Sequence, residues 1–252
     1  MIDALRRVAA TRYVEALREG GSLPGLMEAD DDGLYVVKLR GAGQALAALV
    51  TEIVVGELAR GLALRVPELV IVELDADAAR AEPHQEIQEL VARSAGTNLG
   101  VDFLPGAIPF TPAALRGMDP AAAADVVWLD ALTNNVDRTP RNPNLLVWHH
   151  QVWLIDHGAA LYRQHGSRPL VDTAREPFPL IAEHVLLPVA GPISEADARL
   201  APAAAPAAGR ALALVPEEWW QPGRRAAIAD FLRARLEAPR GFVREANDAR
   251  GR

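Results

Sequence analysis

Three observations on this 252-residue chain point to an α+β protein built as two lobes. Strand-like runs and one long helical pattern crowd into the first 110 residues. The remainder is helical apart from one short hairpin. Half of the residues are apolar, enough to bury a core in each lobe.

The elements follow in order. MIDALRRVAATRYVEALREGG reads as a short amphipathic helix. It lacks the unbroken apolar core and cleavage site of a signal peptide. GGSLPG, at residues 20–25, is rich in turn formers. LMEADDDGLYVVKL reads as strand, acidic turn and strand. In ALAALVTEIVVGELARGL, residues Leu46, Leu49, Val50, Ile53, Val54 and Leu58 recur at helical spacing, with Gly61 placed as the C-cap. Residues 66–74 suit a strand, 75–85 a loop, EIQELVARS a short helix, and 98–110 a strand leaving through a Pro/Gly connector. Residues 120–135 form a helical pattern that turns Val126, Val127, Leu129 and Leu132 inward. APAAAPAAG, at residues 201–209, reads as a low-complexity connector. A last amphipathic helix covers residues 224–236, and Trp219 and Trp220 read as core anchors before it.

Composition excludes several classes. No cysteine means no disulfide and no thiolate metal site, which suits a reducing, cytoplasmic setting. No apolar run is long enough for a membrane span. A net charge of −7 argues against an extensive nucleic-acid footprint. Of 26 basic residues, 25 are Arg and one is Lys38, at the end of the strand LYVVK. Chance would explain a single lysine. So would a position that needs a compact ammonium, for example against phosphate oxygens.

The stretch NNVDRTPRNPNLLVWHHQVWLIDHGAAL, residues 134–161, carries the chemistry. Read as a hairpin turning at residues 149–151, it sets Asn144 opposite Asp156 and returns Asp156 toward Asn142, with Asp137 just upstream. A carboxylate and a carboxamide converging there suit a hard cation such as magnesium. A second carboxylate nearby suits a group that orients a hydroxyl and takes its proton. An Asx-rich turn is the bland reading of each residue singly. Gly158 is placed to turn the backbone. Arg138 and Arg141 suit either phosphate or neighbouring carboxylates. The histidines have no metal-ligand spacing, and His157 reads as packed or hydrogen-bonded in place.

These residues resemble the HipA-like kinases, in particular the shorter stand-alone group. Asp137-Arg-Thr-Pro-Arg-Asn142 has the D-x-x-x-x-N spacing of a kinase catalytic loop, and Asp156-His-Gly158 stands where D-F-G would. The resemblance implies a bilobal, protein-kinase-like fold with lobes at residues 1–105 and 106–252. It implies an ATP- and magnesium-dependent phosphotransferase acting on a hydroxyl acceptor, a protein Ser/Thr by family analogy. Small-molecule or lipid kinases remain the nearby reading. Position by position, Asp137 would be the catalytic carboxylate, and Asn142 and Asp156 the metal ligands. Lys38 would meet the α- and β-phosphates, with Glu52 as its partner and Glu57 in reserve. Backbone groups at Asp102, Phe103 and Leu104 would read adenine. No G-x-G-x-x-G precedes Lys38, so EGGSLPG with Ser22 is the candidate phosphate cover. A pseudokinase or nucleotide-binding scaffold is the competing class, and the intact set Lys38, Asp137, Asn142 and Asp156 speaks against it. All four are expected to serve one cleft.

Overall fold

The computed structural model describes residues 4–17, 24–42, 46–80 and 82–251. It is a mixed α+β structure that divides into two compact units. The first comprises residues 1–50 and 67–105, and the second residues 51–66 and 106–252.

The first unit is a closed five-stranded barrel with one helix, α2 (Gln85–Arg93). Its strands are β1 (Arg7–Ala16), β2 (Gly25–Ala29), β3 (Leu34–Lys38), β4 (Leu69–Leu74) and β5 (Gly96–Asp102). Their order round the barrel is β1-β2-β3-β5-β4, and a parallel β1–β4 pairing closes it. The expected N-terminal helix is therefore wrong, since that segment is β1. Its alanines and arginines favour a helix locally, but β2 pairs along Ala10–Ala16 and β4 along Arg7–Ala9, and tertiary pairing outweighs propensity. Two register shifts against β2, at Ala10/Arg12 and Tyr13/Glu15, break the alternation that would have marked a strand. Val8, Met27, Tyr35, Val37, Val70 and Val72 belong to the core of this unit. Gly100 on β5 is required by that packing: a Cβ there would lie 2.6 Å from a Val72 methyl and 2.8 Å from a Val70 methyl.

Helix α1 (Leu46–Gly61) has the predicted apolar face, with Leu49, Val50, Ile53, Val54 and Leu58 buried. Gly61 does not cap it by a left-handed turn; Ala63 takes that conformation, at φ 62°. Gly61 is small for another reason. A Cβ on it would stand 2.9 Å from the Cβ of Ala207, so its absence admits a neighbouring helix.

That neighbour is α4 (Ile193–Leu214), which runs straight through the expected connector at 201–209. Alanine is the best helix former, and Ala204, Ala207, Ala208 and Ala211 make its buried face. Pro202 and Pro206, four residues apart, are both exposed, so the two missing N–H groups and the rings fall on the outer side.

Helix α3 (Pro120–Thr133) starts with Asp119 accepting from the Ala121 and Ala122 amides and with Pro120 in the first turn. Helices α5 (Arg224–Leu236) and α6 (Gly241–Arg250) complete the second unit with several short 3-10 turns. Trp219 is a core residue as expected, at 3% exposure, and Trp220 is partly buried. A small sheet, β6 (Ile108–Pro109), β7 (Leu145–Trp148) and β8 (Gln151–Leu154), holds the predicted hairpin. No helix among the described residues is long and apolar enough to cross a membrane.

Candidate active site

Hairpin β7–β8 turns on two residues, His149 and His150, both left-handed at φ 48° and 60°. This is the geometry that matches strand twist in a two-residue turn. Trp148 therefore pairs with Gln151 and Leu145 with Leu154, one position away from the predicted register. Asn144 consequently faces Ile155, whose N–H donates to the Asn144 carbonyl at 3.1 Å, and Asp156 is not directly opposite it. The backbone is left-handed at Asp156, φ 56°, and Gly158 lies in the turn that follows, closed by the Ala160 N–H on the His157 carbonyl at 2.9 Å.

Left-handed residues other than glycine concentrate here. Of eight among the described residues, six lie between 134 and 161: Asn134, Asn144, His149, His150, Asp156 and Leu161. Such conformations cost on the order of 1 kcal/mol or more each and persist where their surroundings over-determine them.

Those surroundings start at Asp130, fully buried inside α3. Arg138 Nε donates to Asp130 Oδ2 at 2.5 Å, His184 Nε2 to the same oxygen at 2.9 Å, and Asn135 Nδ2 to Oδ1 at 2.9 Å. Burial alone would raise the pKa of Asp130; Arg138 and His184 outweigh it and hold the carboxyl below the usual carboxylate range. Burial lowers the pKa of His184, against the pull of Asp130. Hydrogen bonding agrees: Nδ1 accepts the Leu186 N–H at 3.1 Å, so the proton sits on Nε2 and the ring is neutral.

Arg138, 1% exposed, thus points inward and is not a surface phosphate contact; Arg141 is exposed. The Arg138 guanidinium also donates to the Asn144 carbonyl, to the Ile155 carbonyl at 3.5 Å and to His157 Nδ1 at 3.4 Å. Residues on both sides of Asp156 are therefore held by one buried cation. His157, at 1% exposure, is hydrogen-bonded in place as expected.

Asp137 lies beside this hub, partly buried. Its Oδ2 accepts from Asn142 Nδ2 at 2.9 Å and from Asn144 Nδ2 at 3.1 Å. The Asn144 amide also reaches the Asp137 carbonyl at 3.2 Å, and the Asp137 N–H donates to Asn135 Oδ1 at 3.1 Å. The structure therefore brings Asp137 and Asn142 into direct contact and pins the backbone around Asp156 to the same loop. With Asn142 Nδ2 committed to Asp137, its Oδ1 is the atom left for a cation.

The rear of the loop is secured from α5. Arg235, 4% exposed, donates to the carbonyls of Leu132 at 2.7 Å, Ala131 at 2.5 Å and Ala174 at 2.9 Å. A cation there suits the negative end of α3. Burial brings its pKa down to about 10, so it remains charged at neutral pH. No motif or spacing in the sequence marks Asp130, His184 or Arg235. A lone Asp within the apolar run VVWLDALT was the available signal for the first.

The other expected site residues are placed as follows. Lys38 ends β3 of the first unit and is 9% exposed. Glu52 lies on α1, 2% exposed, and Glu57 pairs with Arg60 at 3.4 Å. The amides of Asp102 and Phe103 are committed to the carbonyls of Glu68 at 2.8 Å and Leu34 at 2.9 Å. They are not available to adenine, and Leu104 is the one of the three whose N–H is not so engaged. Burial, then Glu68, raises the Asp102 pKa. Ser22 lies outside the described residues.

Comparison with solved structures defines the class of fold. The chain is similar to the crystal structure of the Helicobacter pylori proinflammatory kinase CtkA, with a TM-score of 0.56 over 98% of this chain and 97% of that one. Identity is 12%, so this likeness concerns the fold. The model of the HipA-like kinases matches residues 11–238, and the chain belongs to that family. Membership supports a kinase, that is, a phosphotransferase. No curated protein sequence matches.

Proposed function

We propose that this chain transfers the γ-phosphate of ATP to a hydroxyl, that of a protein Ser or Thr, with Asp137 orienting the hydroxyl. The observation that carries the reading is the double amide clamp on Asp137 Oδ2, from Asn142 and Asn144. It leaves Oδ1 outside these bonds as the oxygen for an incoming hydroxyl. Holding a carboxylate in one rotamer is what phosphoryl transfer needs, since its catalysis is positioning and electrostatics more than covalent chemistry.

The donor set fits magnesium. Asp156 offers a carboxylate and Asn142 its Oδ1. Among the described residues no group of three or more His, Asp or Glu is gathered as a metal cage. Magnesium held by one or two protein oxygens, phosphates and water requires none. Bound there, the ion would neutralise charge on the phosphates. Lys38 and Glu52 keep the roles the family resemblance gives them, with residues 1–105 handling nucleotide and 106–252 carrying the loop. For adenine, the engaged amides of Asp102 and Phe103 favour Leu104 as donor. The cysteine-free composition favours a cytoplasmic location.

The test is transfer of label from γ-labelled ATP, with magnesium, onto the chain itself and onto a mixture of proteins. Wild type should transfer label, and Asp137→Asn should lose roughly 100-fold or more. Nucleotide binding without transfer by the wild type would favour the scaffold reading.

A further inference from the structure

We propose that Asn144, which lies outside the D-x-x-x-x-N motif, is the residue that positions the Asp137 carboxylate for phosphoryl transfer; this rests on the phosphotransferase reading above.

The geometry separates Asn144 from Asn142. Asn142 makes one bond to Asp137 and is exposed. Asn144 is 9% exposed, and its single amide nitrogen reaches two atoms of Asp137, Oδ2 at 3.1 Å and the main-chain oxygen at 3.2 Å. Two hydrogens of one NH2 group gripping a side-chain and a main-chain oxygen of the same residue restrict how that side chain can rotate. Asn144 is in turn immobilised. Its carbonyl accepts from Arg138 and from the Ile155 N–H, and Arg138 is anchored on Asp130. A continuous set of bonds, buried as far as Asn144 and part-buried at Asp137, thus runs from the interior of α3 to one oxygen of Asp137. Asn142 can then turn its Oδ1 to a cation without being the sole guide of the carboxylate. An amide is required at Asn144: a carboxylate would bring an acceptor, not a donor, to Asp137 Oδ2.

Two variants separate this role from a merely structural one. Asn144 is left-handed at φ 49°, a conformation glycine adopts without strain, so Asn144→Gly removes the clamp and spares the backbone. Asn144→Asp keeps the size and reverses the donor. Both are measured beside wild type and Asp137→Asn for kcat, KM for ATP, magnesium requirement and Tm. Both Asn144 variants should lose kcat by ~10- to 100-fold, the scale of a misplaced reacting group. KM for ATP and the magnesium requirement should stay within about twofold, because neither the metal ligands nor the nucleotide contacts change. Wild-type kcat in Asn144→Gly would overturn the inference alone, as would a loss seen only as raised KM or in proportion to unfolded protein. Absence of Asp137-dependent transfer in the wild type would overturn the phosphotransferase reading, and this inference with it.

Discussion

Replacing Arg138 by methionine removes the cation from a buried charge cluster while keeping most of its apolar length. Asp130 would remain at zero exposure with only the His184 and Asn135 hydrogen bonds. Asn144 and Ile155 would each lose a donor to the main-chain oxygen. Breaking a buried pair from one side costs about 3–5 kcal/mol, because the other charge stays behind. The two surviving bonds on Asp130 place the cost near the lower end. At about 2–4 °C per kcal/mol for a chain of this size, a cost of about 3 kcal/mol should lower Tm by roughly 6–12 °C. All five tryptophans (128, 148, 153, 219 and 220) belong to the second unit, so selectively excited tryptophan fluorescence follows that unit alone. Asp130→Leu combined with Arg138→Met should recover part of the loss, since no unpaired charge is then buried. A Tm within about 2 °C of wild type for Arg138→Met would refute the reasoning.

Two further outcomes follow from the same unit. The pKa of His184 lies below its ordinary 6.5, so the unfolded chain takes up a proton there that the native protein excludes. The fluorescence Tm should fall as pH drops below about 6.5, and fall further below about 4, where unfolded Asp130 is protonated and native Asp130 is not. His184→Gln should flatten the first of these slopes; an unchanged slope would count against a neutral, buried His184. Replacing His149-His150 by Asn-Gly supplies the pair favoured when both turn residues are left-handed, and should raise stability by about 0.5–1 kcal/mol in urea unfolding. A loss of stability would contradict the turn geometry.

Much of the site was legible because its elements are local. The D-x-x-x-x-N spacing needs no tertiary information, and the hairpin needs only two apolar runs and a short turn. The hairpin register slipped by one because a His-His pair carries none of the Asn-Gly signal that marks a two-residue turn. Segments whose structure depends on distant partners are not legible in the sequence. Strand β1 exists because β2 and β4 flank it, and its bulges hide the alternation. Helix α4 looked like a linker because prolines are read as breakers, yet both prolines lie on its solvent face. Arg138 was ambiguous for a similar reason: its partner Asp130 is close in sequence but sits on an apolar helix, where an acidic residue carries meaning only once its burial is known. The hairpin pattern places Asn144 near the convergence, while its grip on Asp137 depends on carbonyls and amides that no sequence pattern displays.

The single lysine allows the most direct test of the account. An ATP-derived acyl phosphate transfers its acyl group to an amine lying beside the bound phosphates. In this chain the only side-chain amine is Lys38. The account predicts acylation of Lys38, mapped by mass spectrometry, and its suppression by excess ATP with magnesium. It also predicts that Asp137→Asn is labelled like wild type, since that carboxylate is assigned to the acceptor hydroxyl and not to the nucleotide. Lys38 left unlabelled, or labelled equally with and without competing ATP, would contradict the assignment of Lys38 to the nucleotide phosphates and with it the central claim.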